Sequence, residues 1–187
     1  VFKLWGDEYT IFTRLTKNIF DFIFSLFALL ILSPILFLVS LLIYLSGTKK
    51  IIFKQTRYGL NGKKFYIYKF RTMYVNEDSR KIIKQAIKND SRVTPLGKFL
   101  RKWSIDELPQ LINVIKGEMS IVGPRPHAVF HNEYYRNKVK GYMRRHSFKP
   151  GITGLAQIND LRGETSDDKK MEERINYDLD YLKNWSL

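Results

Sequence analysis

Apolar residues recur at helical spacing between residues 8 and 21, at Ile11, Phe12, Leu15 and Ile19, with Arg14, Lys17 and Asn18 between them. That pattern predicts an amphipathic helix lying in a membrane interface. The periodicity then gives way to FIFSLFALLILSPILFLVSLLIYL, residues 22–45, a run of 24 residues without a charge. The run is long enough to span a bilayer. It is too long for a signal-peptide core, and no cleavage-site pattern follows it. Ser33-Pro34 lies near its middle. Pro34 lacks the helical N–H donor and crowds the preceding turn, so a bend is expected there. Ser33 can bond back to a carbonyl in partial compensation. Hydropathy alone favours an ordinary spanning helix with a kink; the alternative is a helix that enters the membrane, turns and leaves on the same side. Arg14 and Lys17 precede the run, and Lys49, Lys50, Lys54 and Arg57 follow it. Positive charge on both flanks fits two cytoplasmic ends.

Past residue 50 the pattern is that of a water-soluble domain. Residues 51–73 have strand composition around the turn Leu60-Asn61-Gly62, as in a hairpin. A strand over 64–72 would put Phe65, Ile67, Lys69 and Arg71 on one face. Helical spacing recurs over 78–88, at Ile82, Ile83, Ala86 and Ile87, and helices are also predicted over 106–116, 131–145 and 167–184. The last carries Met171, Ile175, Leu179 and Leu182 on one stripe. With no internal repeat or low-complexity linker, the chain reads as one mixed α/β unit with a membrane foot.

Composition narrows the chemistry. The 187 residues are 44% hydrophobic and 14% aromatic, enough for a packed core rather than a disordered chain. Lys and Arg number 32 against 18 Asp and Glu, a net charge of +14. Such an excess points to a polyanionic partner: nucleic acid, an anionic membrane surface or phosphorylated substrates. No cysteine is present, which excludes a disulfide framework, zinc–thiolate sites and cysteine nucleophiles. Three histidines leave little for a His-built metal site. The P-loop, G-x-G-x-x-G, G-x-S-x-G and H-E-x-x-H patterns are all missing, so phosphate chemistry here would not use a standard nucleotide fold.

Against this basic background Asp106 and Glu107 stand side by side, after a stretch from Arg92 to Lys102 with four basic residues and no acid. One reading is structural. Acids favour the first turn of a helix, Pro109 is tolerated near its start, and Ser104 with Glu107 fits a capping box. The other reading is chemical. An Asp at a helix N-terminus near Arg and Lys is expected to have a lowered pKa, and so to be a fixed carboxylate nucleophile. Adjacent acids can also share Mg²⁺, which prefers oxygen ligands. In SIVGPRP, residues 120–126, prolines fix the backbone on both sides of Arg125. That makes either a rigid turn or a guanidinium held for bidentate phosphate binding. KFRTM, residues 69–73, and the Gly/Pro-rich FKPGITGLAQIN, residues 148–159, are weaker signals alone.

Together these segments resemble one family, the bacterial sugar transferases, which are monotopic polyprenol-phosphate phosphoglycosyl transferases. The motifs that carry the resemblance are KFRTM, SIDELPQLINVIKGEMSIVGPRP, RHSFKPGITGLAQIN, LRGET and DLDYLKNWS, in that order. LRGET and NWS look like the larger subgroup that initiates exopolysaccharide and O-antigen assembly, as the catalytic part of a longer protein. The resemblance implies a fold: a mixed α/β, mostly helical catalytic domain over 49–187. Residues 1–48 would supply an interfacial amphipathic helix and a re-entrant membrane helix broken at Ser33-Pro34, which reverses the preference drawn from hydropathy.

The resemblance also implies a reaction at the cytoplasmic face of the bacterial inner membrane. An Asp attacks the sugar-bearing phosphate of a UDP-sugar, UMP leaves, and polyprenol phosphate takes the phosphosugar from the aspartyl intermediate. Asp106 maps to the nucleophile and Glu107 to its partner, with Mg²⁺ held by the pair. Arg125 maps to the phosphate-binding Arg; Lys69, Arg71, Arg162 and Asp178 lie in matching motifs and are expected at the substrate. The rival reading is a membrane-anchored basic nucleic-acid-binding module, which charge supports but no recognisable nucleic-acid motif does. A membrane scaffold whose acids are only helix caps is a second rival. Neither the sugar transferred nor a homo-oligomeric state is legible.

Overall fold

The computed structural model describes residues 11–47, 50–74, 90–161, 163 and 168–185. The helix predicted over 78–88 lies outside the described residues. The amphipathic and apolar N-terminal segments join into one helix, α1 (Ile11–Leu45), whose assignment runs through Pro34. Pro34 offers no N–H to the Leu30 carbonyl, and the Ser33 hydroxyl donates to that carbonyl instead, at 2.8 Å. The compensation expected of Ser33 is therefore met.

One stripe of α1 faces the rest of the protein. Asp21, Ser25, Val39 and Ile43 are buried, and Asn18, Leu32 and Leu36 on the same stripe are half-buried. From Ile19 onward the other faces are mostly apolar and exposed, including Phe20, Phe24, Phe27, Leu30, Phe37 and Leu38. α1 is the one helix among the described residues long and apolar enough to cross a membrane.

The expected hairpin forms. β1 (Ile52–Tyr58) pairs antiparallel with β2 (Lys64–Phe70), Ile52 opposite Phe70 and Tyr58 opposite Lys64. Asn61 sits in the turn at φ 53°, a conformation Asn tolerates better than most residues. Alternation in β2 sends Phe65 and Ile67 into a cluster with Val114 and Met119. Phe70 joins Val39 and Ile43 of α1 with Leu100. The strand ends at Phe70, one residue before Arg71, so the face expected to carry both Lys69 and Arg71 carries Lys69 alone. The Arg71 Nε donates to the Lys50 carbonyl at 2.8 Å.

A helix not foreseen follows, α2 (Pro95–Lys102), with Thr94 as its cap: the Thr94 hydroxyl accepts from the Gly97 N–H at 2.9 Å. The helix predicted over 106–116 is shorter, α3 (Gln110–Ile115), because Pro109 opens it and a 3₁₀ turn occupies Ile105–Glu107. Asn113 of α3 is fully buried and pins the hairpin. Its Oδ1 accepts from the Tyr68 N–H at 3.0 Å, and its Nδ2 donates to the Tyr66 carbonyl at 2.7 Å.

β3 (Ser120–Val122) pairs parallel with β4 (Gly151–Thr153). The chains cross so closely that a Cβ on Gly151 would lie 2.1 Å from the Gly123 nitrogen, which explains glycines in both SIVGPRP and KPGITG. The helix predicted over 131–145 stops early as α4 (Val129–Tyr135). Gly141 turns at φ 80° and a 3₁₀ segment follows over Tyr142–Ser147. α5 (Leu155–Ile158) is a single turn. α6 (Asp168–Lys183) matches the prediction, and buries Met171 and Ile175 against Tyr135, Val139 and Tyr142, with Leu179 packed on that cluster.

Replacing Asn113 by Ala would leave the Tyr68 N–H and the Tyr66 carbonyl without partners in the interior. The expected loss is about 2–6 kcal/mol of stability, from roughly 1–3 for each of the two unsatisfied groups. Denaturant titration of the detergent-solubilised variant measures it, and an unchanged midpoint would show that the pin is dispensable.

Candidate active site

The two acids reach the interior through strained local structure rather than through a helix cap. Ser104 adopts φ 59°, and its side chain makes no cap; the expected capping box does not form. The Glu107 N–H goes to the Ser104 carbonyl at 3.1 Å. The tight turn carries both carboxylates inward, Asp106 to 8% and Glu107 to 6% exposure.

Glu107 is shared by two cations from distant segments. Lys69 of β2 donates to Oε1 at 2.9 Å. Arg125 forks onto both oxygens, Nη2 donating to Oε1 at 2.6 Å and Nη1 to Oε2 at 3.2 Å, the bidentate geometry that guanidinium suits. Burial pushes Glu107 up, but the charges and hydrogen bonds of Lys69 and Arg125 more than offset it and hold the carboxyl well below the usual range.

Asp106 differs. Among the described residues no hydrogen bond or ion pair reaches its carboxylate. Burial raises its pKa above the ordinary 3.8 and Glu107 adds to the rise, while Lys69, Arg101 and Arg125 act against it. The lowered pKa expected of Asp106 therefore belongs to Glu107, because desolvation outweighs the basic neighbours at Asp106.

Arg125 is held from behind. Arg145 donates to the Arg125 carbonyl and is itself paired with Asp178 at 2.8 Å, both side chains almost wholly buried. His127, two residues on, meets the Tyr142 hydroxyl at 2.7 Å and touches the Arg145 guanidinium. Burial, with Arg145, Arg174 and Arg57 close by, keeps His127 neutral. Asp178 thus sits at 1% exposure behind the Pro-Arg-Pro turn rather than beside Asp106. Arg71 stays near Lys50, and Arg162 lies outside the described residues. Of the residues that the sequence singles out, the structure brings Glu107, Lys69 and Arg125 into contact, with Asp106 next in the chain to Glu107. Sequence reasoning missed Arg145, whose only signal was its place at the start of RHSFKPG.

A cleft of about 420 Å³ opens beside Glu107. Its walls are largely apolar, from Leu108 and Leu111 of the acid-bearing segment, Ile152 and Ile158 opposite, and Trp103 at the rim. The arrangement combines an unpaired buried carboxylate, two cations with spare N–H donors and an apolar cleft on a protein with a lipid-compatible helix.

The chain belongs to the bacterial sugar transferase family, whose match spans residues 12–187. It is 53% identical over 174 residues to the UDP-glucose:undecaprenyl-phosphate glucose-1-phosphate transferase of Escherichia coli (strain K12), covering 93% of this chain and 37% of that protein. It is 45% identical to the exopolysaccharide production protein PSS of Rhizobium leguminosarum bv. phaseoli, covering 91% and 87%. It is 37% identical to the UDP-N-acetylgalactosamine-undecaprenyl-phosphate N-acetylgalactosaminephosphotransferase of Aeromonas hydrophila, covering 91% and 40%. The chain spans a little over a third of the length of the first of these relatives.

The opposed shifts of the two acids predict opposed stability effects. Glu107 contributes stability above the ordinary glutamate value of 4.5, and that contribution is lost as pH falls below it toward the depressed folded value. Glu107→Gln leaves Lys69 and Arg125 without their counter-charge and is expected to cost about 3–5 kcal/mol at pH 7. Asp106 is destabilising once ionised, so Asp106→Asn is expected to hold or raise Tm at pH 7. Thermal melts of both variants check this, and a fall in Tm for Asp106→Asn would contradict it.

Proposed function

We propose that the protein transfers a sugar 1-phosphate from a UDP-hexose to undecaprenyl phosphate, through a covalent intermediate on Asp106, as an initiating step of exopolysaccharide or O-antigen assembly. The names of its relatives support the donor and acceptor classes. The observation that carries the mechanism is the contrast within the pair. Glu107 has both oxygens engaged by cations, whereas the neighbouring buried carboxylate of Asp106 is uncommitted. A desolvated carboxylate is the better nucleophile of the two.

Asp106 attacks the phosphorus that bears the sugar. Its bond to the bridging oxygen breaks, UMP departs with that electron pair, and an aspartyl phosphosugar remains. An oxygen of the lipid phosphate then attacks the same phosphorus and Asp106 leaves, regenerating the carboxylate and giving undecaprenyl-diphosphate-sugar. Lys69 and Arg125 keep N–H donors beyond those given to Glu107, and these stabilise charge on the phosphoryl oxygens. The apolar cleft beside Glu107 suits the first isoprene units of the acceptor.

The donor set also suits Mg²⁺, which binds one or two carboxylates together with substrate phosphates. Asp106 offers free oxygens, and Glu107 stands beside it with lone pairs that Lys69 and Arg125 do not use. Bound there, the ion would supply positive charge to the diphosphate.

α1 serves this reaction best as a re-entrant element with both ends at the cytoplasmic face of the inner membrane. Its inward stripe runs from Asn18 to Ile43, about 38 Å of helix, more than the roughly 30 Å hydrocarbon core. A helix crossing that core could not keep a water-soluble domain packed along such a length. Cysteines introduced at Phe12 and at Lys50, in a chain with no native cysteine, are expected to react only from the cytoplasmic side. Labelling from opposite sides would rule the re-entrant arrangement out.

The mechanism is tested by mass spectrometry after incubation with UDP-glucose and no lipid acceptor. A phosphohexose adduct on the Asp106 peptide is expected, with none in Asp106→Asn. An adduct elsewhere, or full turnover in Asp106→Asn, would end the assignment.

A further inference from the structure

The wall that Ile152 and Ile158 give to the cleft beside Glu107 also carries two polar side chains, Thr153 and Gln157. Gln157 belongs to α5, and its Nε2 donates to the Ile152 carbonyl at 3.0 Å. A carbonyl only accepts, so that bond fixes which end of the amide is which. The other end, Oε1, is buried and receives no hydrogen bond among the described residues. Thr153, half-buried beside it, is held by its backbone: its carbonyl accepts from the Gly123 N–H at 2.9 Å. Its hydroxyl lines the cleft as both donor and acceptor. A dry acceptor left unpaired is costly, and one placed in a cleft wall calls for a ligand that brings a donor.

The cleft is tied to the phosphate-binding cations from two sides. Glu107 forms part of its lining and holds Lys69 and Arg125. The bond from Gly123 to Thr153 joins the opposite wall to the chain two residues before Arg125. A group attached to a phosphate at those cations therefore has the cleft next to it. Its volume of about 420 Å³ lies within the usual range of small-molecule sites. Leu108, Leu111 and Ile152 offer apolar contact to a flat ring, and Trp103 at the rim, 63% exposed, offers an aromatic face. Of the two ends of a UDP-hexose, the sugar is covered in hydroxyls and suits such walls poorly. Uracil suits them well: its faces are apolar, and one edge presents an N–H between two carbonyls. An acceptor from Gln157 and a hydroxyl from Thr153 complement that edge.

We propose that this cleft is the uridine subsite of the sugar donor, in which Gln157 Oε1 accepts from the uracil N3–H and the Thr153 hydroxyl donates to a neighbouring uracil carbonyl. This rests on the reaction proposed above and adds the residues that select its nucleotide. No covalent step takes place in the subsite. The first isoprene units of the acceptor use the same cleft only after UMP has gone, because the aspartyl intermediate separates the two half-reactions. An isoprene chain has no donor for Gln157, so the two polar side chains act on the nucleotide alone.

The test measures binding to the full chain in lipid nanodiscs by calorimetry, with UMP, UMP methylated at N3 and farnesyl phosphate as probes. A site built to accept from an N–H rejects the analogue that lacks it, so the wild type is expected to bind the methylated nucleotide at least about tenfold more weakly than UMP. Gln157→Leu and Thr153→Val are each expected to weaken UMP about three- to tenfold, the scale of one neutral hydrogen bond, and to leave farnesyl phosphate unchanged. Gln157→Leu is also expected to bind UMP and its methylated analogue nearly alike; Gln157→Met carries that comparison should the Leu variant not fold. Equal affinity of the wild type for the two nucleotides would overturn the subsite, and that comparison needs no variant. Undiminished discrimination in the Gln157 variant would overturn the assignment to Gln157. Loss of farnesyl phosphate in step with UMP would overturn a role confined to the nucleotide. A wild type that binds neither UMP nor UDP-glucose would instead overturn the reaction on which the subsite rests.

Discussion

The site depends on one buried carboxylate answered by two cations. Glu107, Lys69 and Arg125 come from a tight turn, a strand and a loop separated by 38 and 18 positions along the chain. None of the three tolerates burial alone, because removing one partner of a desolvated ion pair strands the other. Their mutual need fixes where β2, the Ile105–Glu107 turn and the loop after β3 must meet. Asn113 holds α3 to the hairpin, and Arg145 with Asp178 holds the backbone of Arg125. Both arrangements keep the ends of this three-way ion pair in place.

The same interaction separates two chemically similar acids. Adjacent carboxylates in one dry environment would compete for the same cations. Here Glu107 takes the hydrogen bonds of both Lys69 and Arg125 and is held ionised, while at Asp106 burial outweighs the pull of Lys69, Arg101 and Arg125 and Glu107 adds to the rise. Pairs of acids whose environments push their pKa values apart carry different duties. Glu107 orders Lys69 and Arg125, and the Asp106 carboxylate has no hydrogen bond or ion pair among the described residues. A buried carboxylate kept short of partners is a cost in stability.

What could be read from the sequence was local. The α6 stripe, the hairpin with Asn61 in its turn and the apolar run of α1 follow from spacing within a few residues. Asp106, Glu107 and Arg125 were legible because neighbours in sequence mark them: two adjacent acids in a basic stretch and an Arg between prolines. The rest depended on segments that meet only in three dimensions. The pKa of Asp106 was expected to fall because basic residues are near in sequence, but burial by distant elements reverses the sign. Ser104 and Glu107 match a capping box by spacing, yet Lys69 and Arg125 claim the Glu107 side chain. Arg71 was placed on the site face by strand periodicity, and the strand stops one residue short. Arg145 is marked only by its place at the start of RHSFKPG, and Arg57 and Arg174 carry no local mark of an inward position.

The net charge of +14 also takes on a definite meaning. An excess of Lys and Arg on an exposed face would favour any polyanion by long-range attraction. In this protein Lys69, Arg57, Arg125, Arg145 and Arg174 are turned inward, and Glu107 and Asp178 answer part of that charge. α1 connects that inward site to the bilayer. Asp21, buried on the inward stripe, accepts the Ile121 N–H of β3 at 3.2 Å, and β3 leads within a few residues into Arg125. Val39 and Ile43 pack with Phe70, the residue after Lys69. The helix thus touches both segments that supply the cations to Glu107. A shift of α1 would therefore be felt first at the segments that carry Lys69 and Arg125, so the position of the apolar helix and the geometry of the buried ion pair are mechanically linked.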